Sequence, residues 1–186
     1  VDHAWHIRLA KRDDVPDLEK LIEASARGLQ VGDYSTDQIE AAIEGVYGID
    51  TTLIDDGTYF VAEDRAGANR KLVIGCGGWS RRKTLFGGDR WHDRAEMFLD
   101  PERDAARIRA FFVHPAWARL GVGTRILNAC ESAALAAGFS RLEMAATVTG
   151  ARFYQARGYE RCETFDVPLG TGTSIEVIRM QKIIES

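Results

Sequence analysis

From Trp5 to Ala10 apolar and polar residues alternate, which is the pattern of a half-buried strand. The period then changes. In "DDVPDLEKLIEASARGL", Leu18, Leu21 and Ile22 recur at helical spacing, Asp14 precedes as a cap, Pro16 suits the first turn, and Gly28 is the expected stop. "STDQIEAAIEGVYG" predicts a second helix, with Ser35 and Gln38 at capping-box spacing and Gly48 past its end. Two apolar runs around "RAGAN" predict an antiparallel hairpin.

"ARIRAFFVH" reads as a strong strand. It is followed by a long helix in "LGVGTRILNACESAALAAGF", with Ile126, Leu127, Cys130, Ala134 and Ala137 on one face and Gly138 closing it. "SRLEMAA" predicts a strand and "TGARFYQARGY" a short helix closed by Gly158. "YERCETFDVPL" and "SIEVIRMQKII" form a last hairpin around "GTGT". Strands and helices alternate without repeats or a Pro/Gly/Ser-rich linker, so residues 1–186 are expected to form one mixed α/β (α+β) domain. The exception to the regular pattern is 83–105, polar and irregular. It carries Arg90, His92, Asp93, Arg94 and Glu96 among Phe86, Trp91 and Phe98. A connection of that length in a compact domain is commonly functional, and it is a candidate acceptor pocket or lid.

Composition narrows the classes. The 186 residues carry a net charge of −4 with 45% apolar and 28% charged residues, as in a water-soluble globular domain. No basic patch suggests a nucleic-acid partner. No run approaches a membrane span, and the N-terminal stretch shows no apolar signal region, so a cytoplasmic protein is expected. Cys76, Cys130 and Cys162 are scattered and odd in number, and read as reduced thiols. The four histidines and three cysteines show no metal-ligand spacing, and no metal is expected.

The chemistry concentrates in "VHPAWARLGVGTRIL". An apolar strand breaks at a proline and passes through Gly121 and Gly123 into a helix. The first turn of a helix has unpaired amides and a partial positive charge, and glycines let an anion approach them. A Walker A loop is excluded, because no Gly-Lys-Ser/Thr follows. A dinucleotide-binding turn is excluded too, because Ile126 stands where its third glycine belongs.

This stretch resembles the acyl-coenzyme A motif [RQ]-x-x-G-x-[GA] of the GCN5-related N-acetyltransferases (GNAT). "ARFYQARGYE" further on resembles that family's F-Y-x-x-x-G-[FY] hallmark, and the element order over about residues 5–184 is similar. Two departures stand out: Ala118 occupies the motif's Arg/Gln position with Arg119 beside it, and Thr147 replaces an Asn found in many members.

The resemblance implies a mostly antiparallel mixed sheet flanked by helices and splayed between its fourth and fifth strands. It implies acetyl-coenzyme A as cosubstrate, with the pyrophosphate on the turn Arg119, Leu120, Gly121, Val122, Gly123 and Thr124. Arg119 and Arg125 are possible charged contacts there. The pantetheine arm would lie along Phe111, Phe112 and Val113, and Thr147 would belong to the same site. Tyr154 matches the general acid for the leaving thiolate, since a phenol of pKa near 10 holds its proton at neutral pH.

The resemblance supplies no base. The usual Glu position holds Arg107 or Ala106, which leaves Asp104 or Glu102 through water, or unaided deprotonation of the acceptor. The activity implied is direct acetyl transfer in a ternary complex to a primary amine, on a small molecule or a peptide. The alternative is a non-catalytic acyl-coenzyme A sensor. Pairing of the C-terminal strands between two subunits is a further expectation.

Overall fold

The computed structural model describes residues 5–64, 71–92, 97–170 and 172–184. Its strands are β1 (Trp5–Leu9), β2 (Tyr59–Asp64), β3 (Leu72–Ser80), β4 (Ala106–Val113), β5 (Arg141–Thr147), β6 (Glu160–Pro168) and β7 (Ser174–Ile183). Its helices are α1 (Val15–Leu29), α2 (Thr36–Gly45), α3 (Thr51–Asp55), α4 (Val122–Ala136) and α5 (Val148–Gln155). One seven-stranded sheet runs in the order β1-β2-β3-β4-β5-β7-β6.

Neighbouring strands are antiparallel except β4 and β5, which run parallel and pair only at Ala106↔Leu142 and Arg107↔Glu143. Beyond those two pairs the strands part, so the sheet opens as a V toward the C-terminal ends of β4 and β5. Parallel neighbours need a crossover, and α4 supplies it. It lays Ile126, Leu127, Cys130 and Ala134, all fully buried, on one face of the sheet. A second buried cluster joins α1 and α2 to β6 and β7 through Ile22, Ile39, Ala42 and Ile175. Two layers of helix thus close both faces.

Several local expectations hold in detail. Ser35 Oγ accepts from the Gln38 amide at 3.2 Å while the Gln38 side chain accepts from the Ser35 amide at 3.0 Å, a complete capping box. Gly138 and Gly158 take left-handed φ of 93° and 85° just past α4 and α5. The "RAGAN" turn and Asp93, Arg94 and Glu96 lie outside the described residues.

Others are corrected. Asp14 does not cap α1 with its side chain. Its carboxylate instead accepts from the Lys11 amide and two guanidinium nitrogens of Arg8. Gly28 does not end α1, which continues to Leu29. A Cβ at Gly28 would stand 2.3 Å from Pro115 Cγ, so this glycine serves the close approach of α1 to the turn after β4. Ala137 is exposed at the end of α4 rather than part of its buried face. Helix α3 has no counterpart in the sequence reading.

Candidate functional site

A cavity of about 950 Å³ fills the opening between β4 and β5. One wall is the Gly-rich turn. Pro115–Trp117 form a single tight 3-10 turn after β4, closed when His114 accepts the Ala116 amide at 3.2 Å. The chain then reverses through Arg119 at φ 64° and Gly121 at φ 85°. Nothing lies within 4 Å of a Cβ built on Gly121, so the residue is required by its left-handed backbone, not by crowding. Gly121 is the N-cap of α4 and offers no side chain to the first turn. Among the described residues, no acceptor meets the amides from Arg119 to Thr124. Successive unpaired amides around left-handed residues form an anion-binding concavity, reinforced by the helix dipole. An anionic pyrophosphate fits this donor set.

The next wall is β4. Cys76 pairs with Phe112 and Gly78 with Arg109, so Ala110 and Phe111 together oppose Gly77. That is a β-bulge, and Ala110 at φ 50° carries its strain. The Ala110 carbonyl turns inward and accepts from Tyr59 Oη at 3.0 Å. The bulge re-aims Phe111, Phe112 and Val113 along the cavity, which all three line. The Phe111 ring packs 5.8 Å from Phe153 and 5.9 Å from Tyr154. The Val113 amide is engaged by Ser25 Oγ at 3.3 Å, which narrows what backbone pairing Val113 can offer.

Tyr154 sits on the buried side of α5, 7% exposed, with its ring against Phe111, Phe153 and Tyr159, and it lines the same cavity. Burial, with Cys130 adding to it, pushes its phenol well above the ordinary value, so the hydroxyl keeps its proton. Among the described residues it makes no hydrogen bond. That arrangement suits a proton donor facing the cavity.

Thr147 stands at the junction of β5 and α5. Its hydroxyl accepts from the Gly150 amide at 3.0 Å and caps α5. Although Thr147 lines the cavity, that acceptor role is already filled. Arg125 is turned away: its guanidinium lies 4.4 Å over the Trp5 ring and does not line the cavity. Arg119 and Arg157 do. No sequence motif singles out Arg157. It stacks 3.8 Å over Phe153, donates to the Phe153 carbonyl at 2.8 Å and bonds Thr124 Oγ1 from two nitrogens. It thereby ties the end of α5 to the start of α4 beside the anion-binding turn. Its position three residues after Tyr154 was the available signal, but the reach to Thr124 depends on how the two helices meet.

The far end of the cavity is built from distant segments: Gln30 and Asp33 after α1, Tyr47 after α2, Phe86 and Gly87 in the long connection, and Arg109 on β4. Tyr47 Oη donates to Gln30 at 2.9 Å. Tyr34 Oη accepts the Val148 amide at 2.8 Å and donates to the Glu176 carbonyl at 2.6 Å, fixing the α1–α2 turn against α5 and β7. Arg109 is almost wholly buried in a 2.9 Å ion pair with Asp50 and also bonds the Gly87 carbonyl.

The long connection therefore splits. Its first half, with Phe86 against Trp91 and Phe165, reaches the cavity. Phe98 stands outside it under the Arg82 guanidinium. Asp104 and Glu102 do not line the cavity, so neither is placed as a base. Among the described residues the lining carboxylate is Asp33, which accepts from Thr149 Oγ1 at 2.7 Å. Cys76 and Cys130 are fully buried, and burial raises both thiols, Cys76 to about 12, which disfavours a thiolate nucleophile. Among the described residues no group of His, Cys, Asp or Glu gathers as a metal set, and no helix is long and apolar enough to cross a membrane.

Residues 55–161 match the family model for the acetyltransferase (GNAT) domain. No curated protein sequence matches the chain. Among solved structures, a GCN5-related N-acetyltransferase from Rhodopseudomonas palustris superposes with a TM-score of 0.69 at 22% identity, over 96% of this chain and 95% of that one. The PaiA N-acetyltransferase from Thermoplasma acidophilum, solved with coenzyme A, gives 0.66 at 14% identity over 97% and 99%. A putative N-acetyltransferase from Lactobacillus plantarum gives 0.58 at 20% identity over 98% and 99%. At such identities the likeness is one of fold.

Proposed function

Because this chain belongs to the GNAT acetyltransferase family, an acyltransferase family that uses acetyl-coenzyme A, we propose that it transfers an acetyl group to a primary amine by direct attack in a ternary complex. The observation that carries the reading is one cavity shared by an unpaired anion-binding turn, a bulged strand and a protonated phenol. Bound acetyl-coenzyme A supplies the thioester, an activated acyl group on a thiolate leaving group. The amides of residues 119–124 would hold its pyrophosphate, with Arg119 nearby and Arg157 bracing Thr124. The bulge at Ala110 and Phe111 opens β4 toward the pantetheine arm. Tyr154 Oη holds the proton that the departing sulfur takes.

The amine must lose its own proton. At a pKa of about 10.4 this costs about 4–5 kcal/mol at pH 7. Among the described residues the carboxylate that lines the cavity is Asp33, which accepts from Thr149, so we assign no base among them and expect the acceptor to deprotonate to solvent. That absence is also what a coenzyme A-binding sensor would display, and turnover separates the two.

The test is free thiol released from acetyl-coenzyme A across a panel of primary amines, with wild type and Tyr154→Phe. Thiol release that depends on the amine and falls in Tyr154→Phe is expected. Tight coenzyme A binding with no thiol from any amine would leave the sensor reading standing.

A further inference from the structure

A second concavity lies at the closed end of the V, where β4 and β5 still pair. It measures about 270 Å³ and is lined from the 103–105 turn, β4, β5 and β7. Strand register explains its chemistry. Arg107 pairs with Glu143, Glu143 with Gln181, Arg141 with Ile183 and Ala145 with Arg179, so these residues share one face of the sheet. At this end of the sheet the side chains converge on a polar cleft instead of a core.

Its charge is one-sided. Arg103, Arg107, Arg141, Arg179 and Lys182 line it, against Asp104 and Glu143. Lys182 is held by Glu131 at 2.9 Å. Four arginines then face two carboxylates. Glu143, 4% exposed, is shared: Arg107 contacts it, Arg179 reaches it at 2.7 Å, and Gln181 donates at 3.1 Å. Arg179 also stands 3.8 Å from the exposed Glu163. Asp104 is turned back to accept the Asp100 amide at 2.8 Å. Arg103 is 3.7 Å from Asp100, and Arg141 bonds only the Arg103 carbonyl among the described residues. Arg107, Arg179 and Arg141 thus outnumber the buried Glu143 and the exposed Glu163, which leaves a positive surplus in a partly exposed recess.

We propose that this cleft is an anion-binding site, distinct from the cavity of Tyr154, that takes a phosphate or carboxylate group between Arg107, Arg179 and Arg141. Guanidinium forks match both groups in a two-point geometry. The cleft has room for such a group, as a small free anion or as the acidic end of a larger molecule. The two sources share one chemistry. Arg107 lies two residues before the cavity-lining Arg109 on β4, about 7 Å along the strand, which is within reach of an acceptor that carries both an amine and an acid.

Inorganic phosphate and glutarate are the probes, titrated calorimetrically into the full chain with saturating coenzyme A present to occupy the Gly-rich turn. Saturable phosphate binding is expected, weakened about tenfold in Arg179→Gln and in Arg141→Gln, since each removes a charge-assisted contact. Arg141 is exposed and holds no carboxylate among the described residues, so its variant keeps the test sound where Arg179→Gln loosens the fold. Arg27→Gln, on a distant salt bridge, is the control and should change nothing. No saturable binding in the wild type, or equal affinity in both cleft variants and the control, overturns the proposal.

Paired amines that differ by one carboxylate then identify the source. If the acid belongs to the acceptor, the acidic member has the lower KM, phosphate competes with it, and Arg141→Gln abolishes the difference. If the anion is free, the pair react alike and phosphate does not compete. Failure of every amine to release thiol would overturn the acetyltransfer reading above, while the calorimetry still decides the cleft.

Discussion

The two ends of the cavity are made of different material. At the Gly-rich turn the functional groups belong to the backbone: amides from Arg119 to Thr124, two left-handed residues and a bulge in β4. At the acceptor end they are side chains gathered from α1, α2, the long connection and β4, such as Gln30, Tyr47, Phe86 and Arg109. Backbone chemistry is set by a few consecutive residues, so a short motif can specify it. Side-chain chemistry of the second kind is set by packing between distant segments. One end can therefore persist while the other varies, which is how one fold accommodates many acceptors.

The largest expected effect tests the acceptor end. Arg109 and Asp50 are 2% and 0% exposed and paired at 2.9 Å. Arg109→Met should remove this buried ion pair and cost about 3–5 kcal/mol in urea unfolding. If this end is built by packing, coenzyme A affinity measured below the transition should change little. A proportional loss of coenzyme A affinity would mean the two ends are not separable.

Second in size is the reaction itself. Tyr154→Phe should lower kcat about 100-fold with coenzyme A affinity nearly intact, as for loss of a general acid. The pH dependence has a definite sign. An acid works while protonated, and burial raises the Tyr154 pKa above its ordinary value of 10.0. The wild-type rate should therefore climb with pH as the amine loses its proton, without an alkaline fall from Tyr154 up to pH 10. A falling limb near pH 9 that vanishes in Tyr154→Phe would show a phenol of lower pKa than its burial allows.

The third concerns the backbone end. Gly121→Val would force a β-branched residue to φ 85°, at a cost of about 1–2 kcal/mol in stability even in open space. Coenzyme A affinity should fall further, about tenfold beyond that expected from Gly121→Ala, because only the larger side chain crowds the amides. Because strain alone lowers stability, the Val/Ala comparison, not the single variant, reports the anion site.

How far the sequence was legible follows the same division. The strands and long helices were readable from period alone, and the splay between β4 and β5 came with the family resemblance. Helix α3 was not: Thr51–Asp55 is five residues long, too short to show a period. Asp14 looked like a helix cap because its spacing allows it, but Arg8 on β1 competes for the carboxylate and wins with two hydrogen bonds. The reach of Arg157 to Thr124 and the Arg109–Asp50 pair were invisible because these partners lie on other segments. Asp104 and Glu102 were plausible as bases only while the turn before β4 had no position. It faces the cleft under the sheet, not the cavity.

The smallest effect falls where the two kinds of construction meet. Thr147 was expected in the cofactor site because it occupies a family position, and it does line the cavity. Yet its hydroxyl accepts the Gly150 amide at 3.0 Å, and a hydroxyl cap of this kind is worth about 1 kcal/mol. Thr147→Ala should therefore lower stability by about that amount and leave coenzyme A affinity within about twofold, since the lost bond lies within α5. Thr147→Ser should restore the stability, because it returns the oxygen without the methyl group. If Thr147→Ala instead weakened coenzyme A binding as much as Gly121→Val, the hydroxyl would have to leave its cap for the ligand. The boundary between the two ends would then lie one turn further into α5 than the geometry places it.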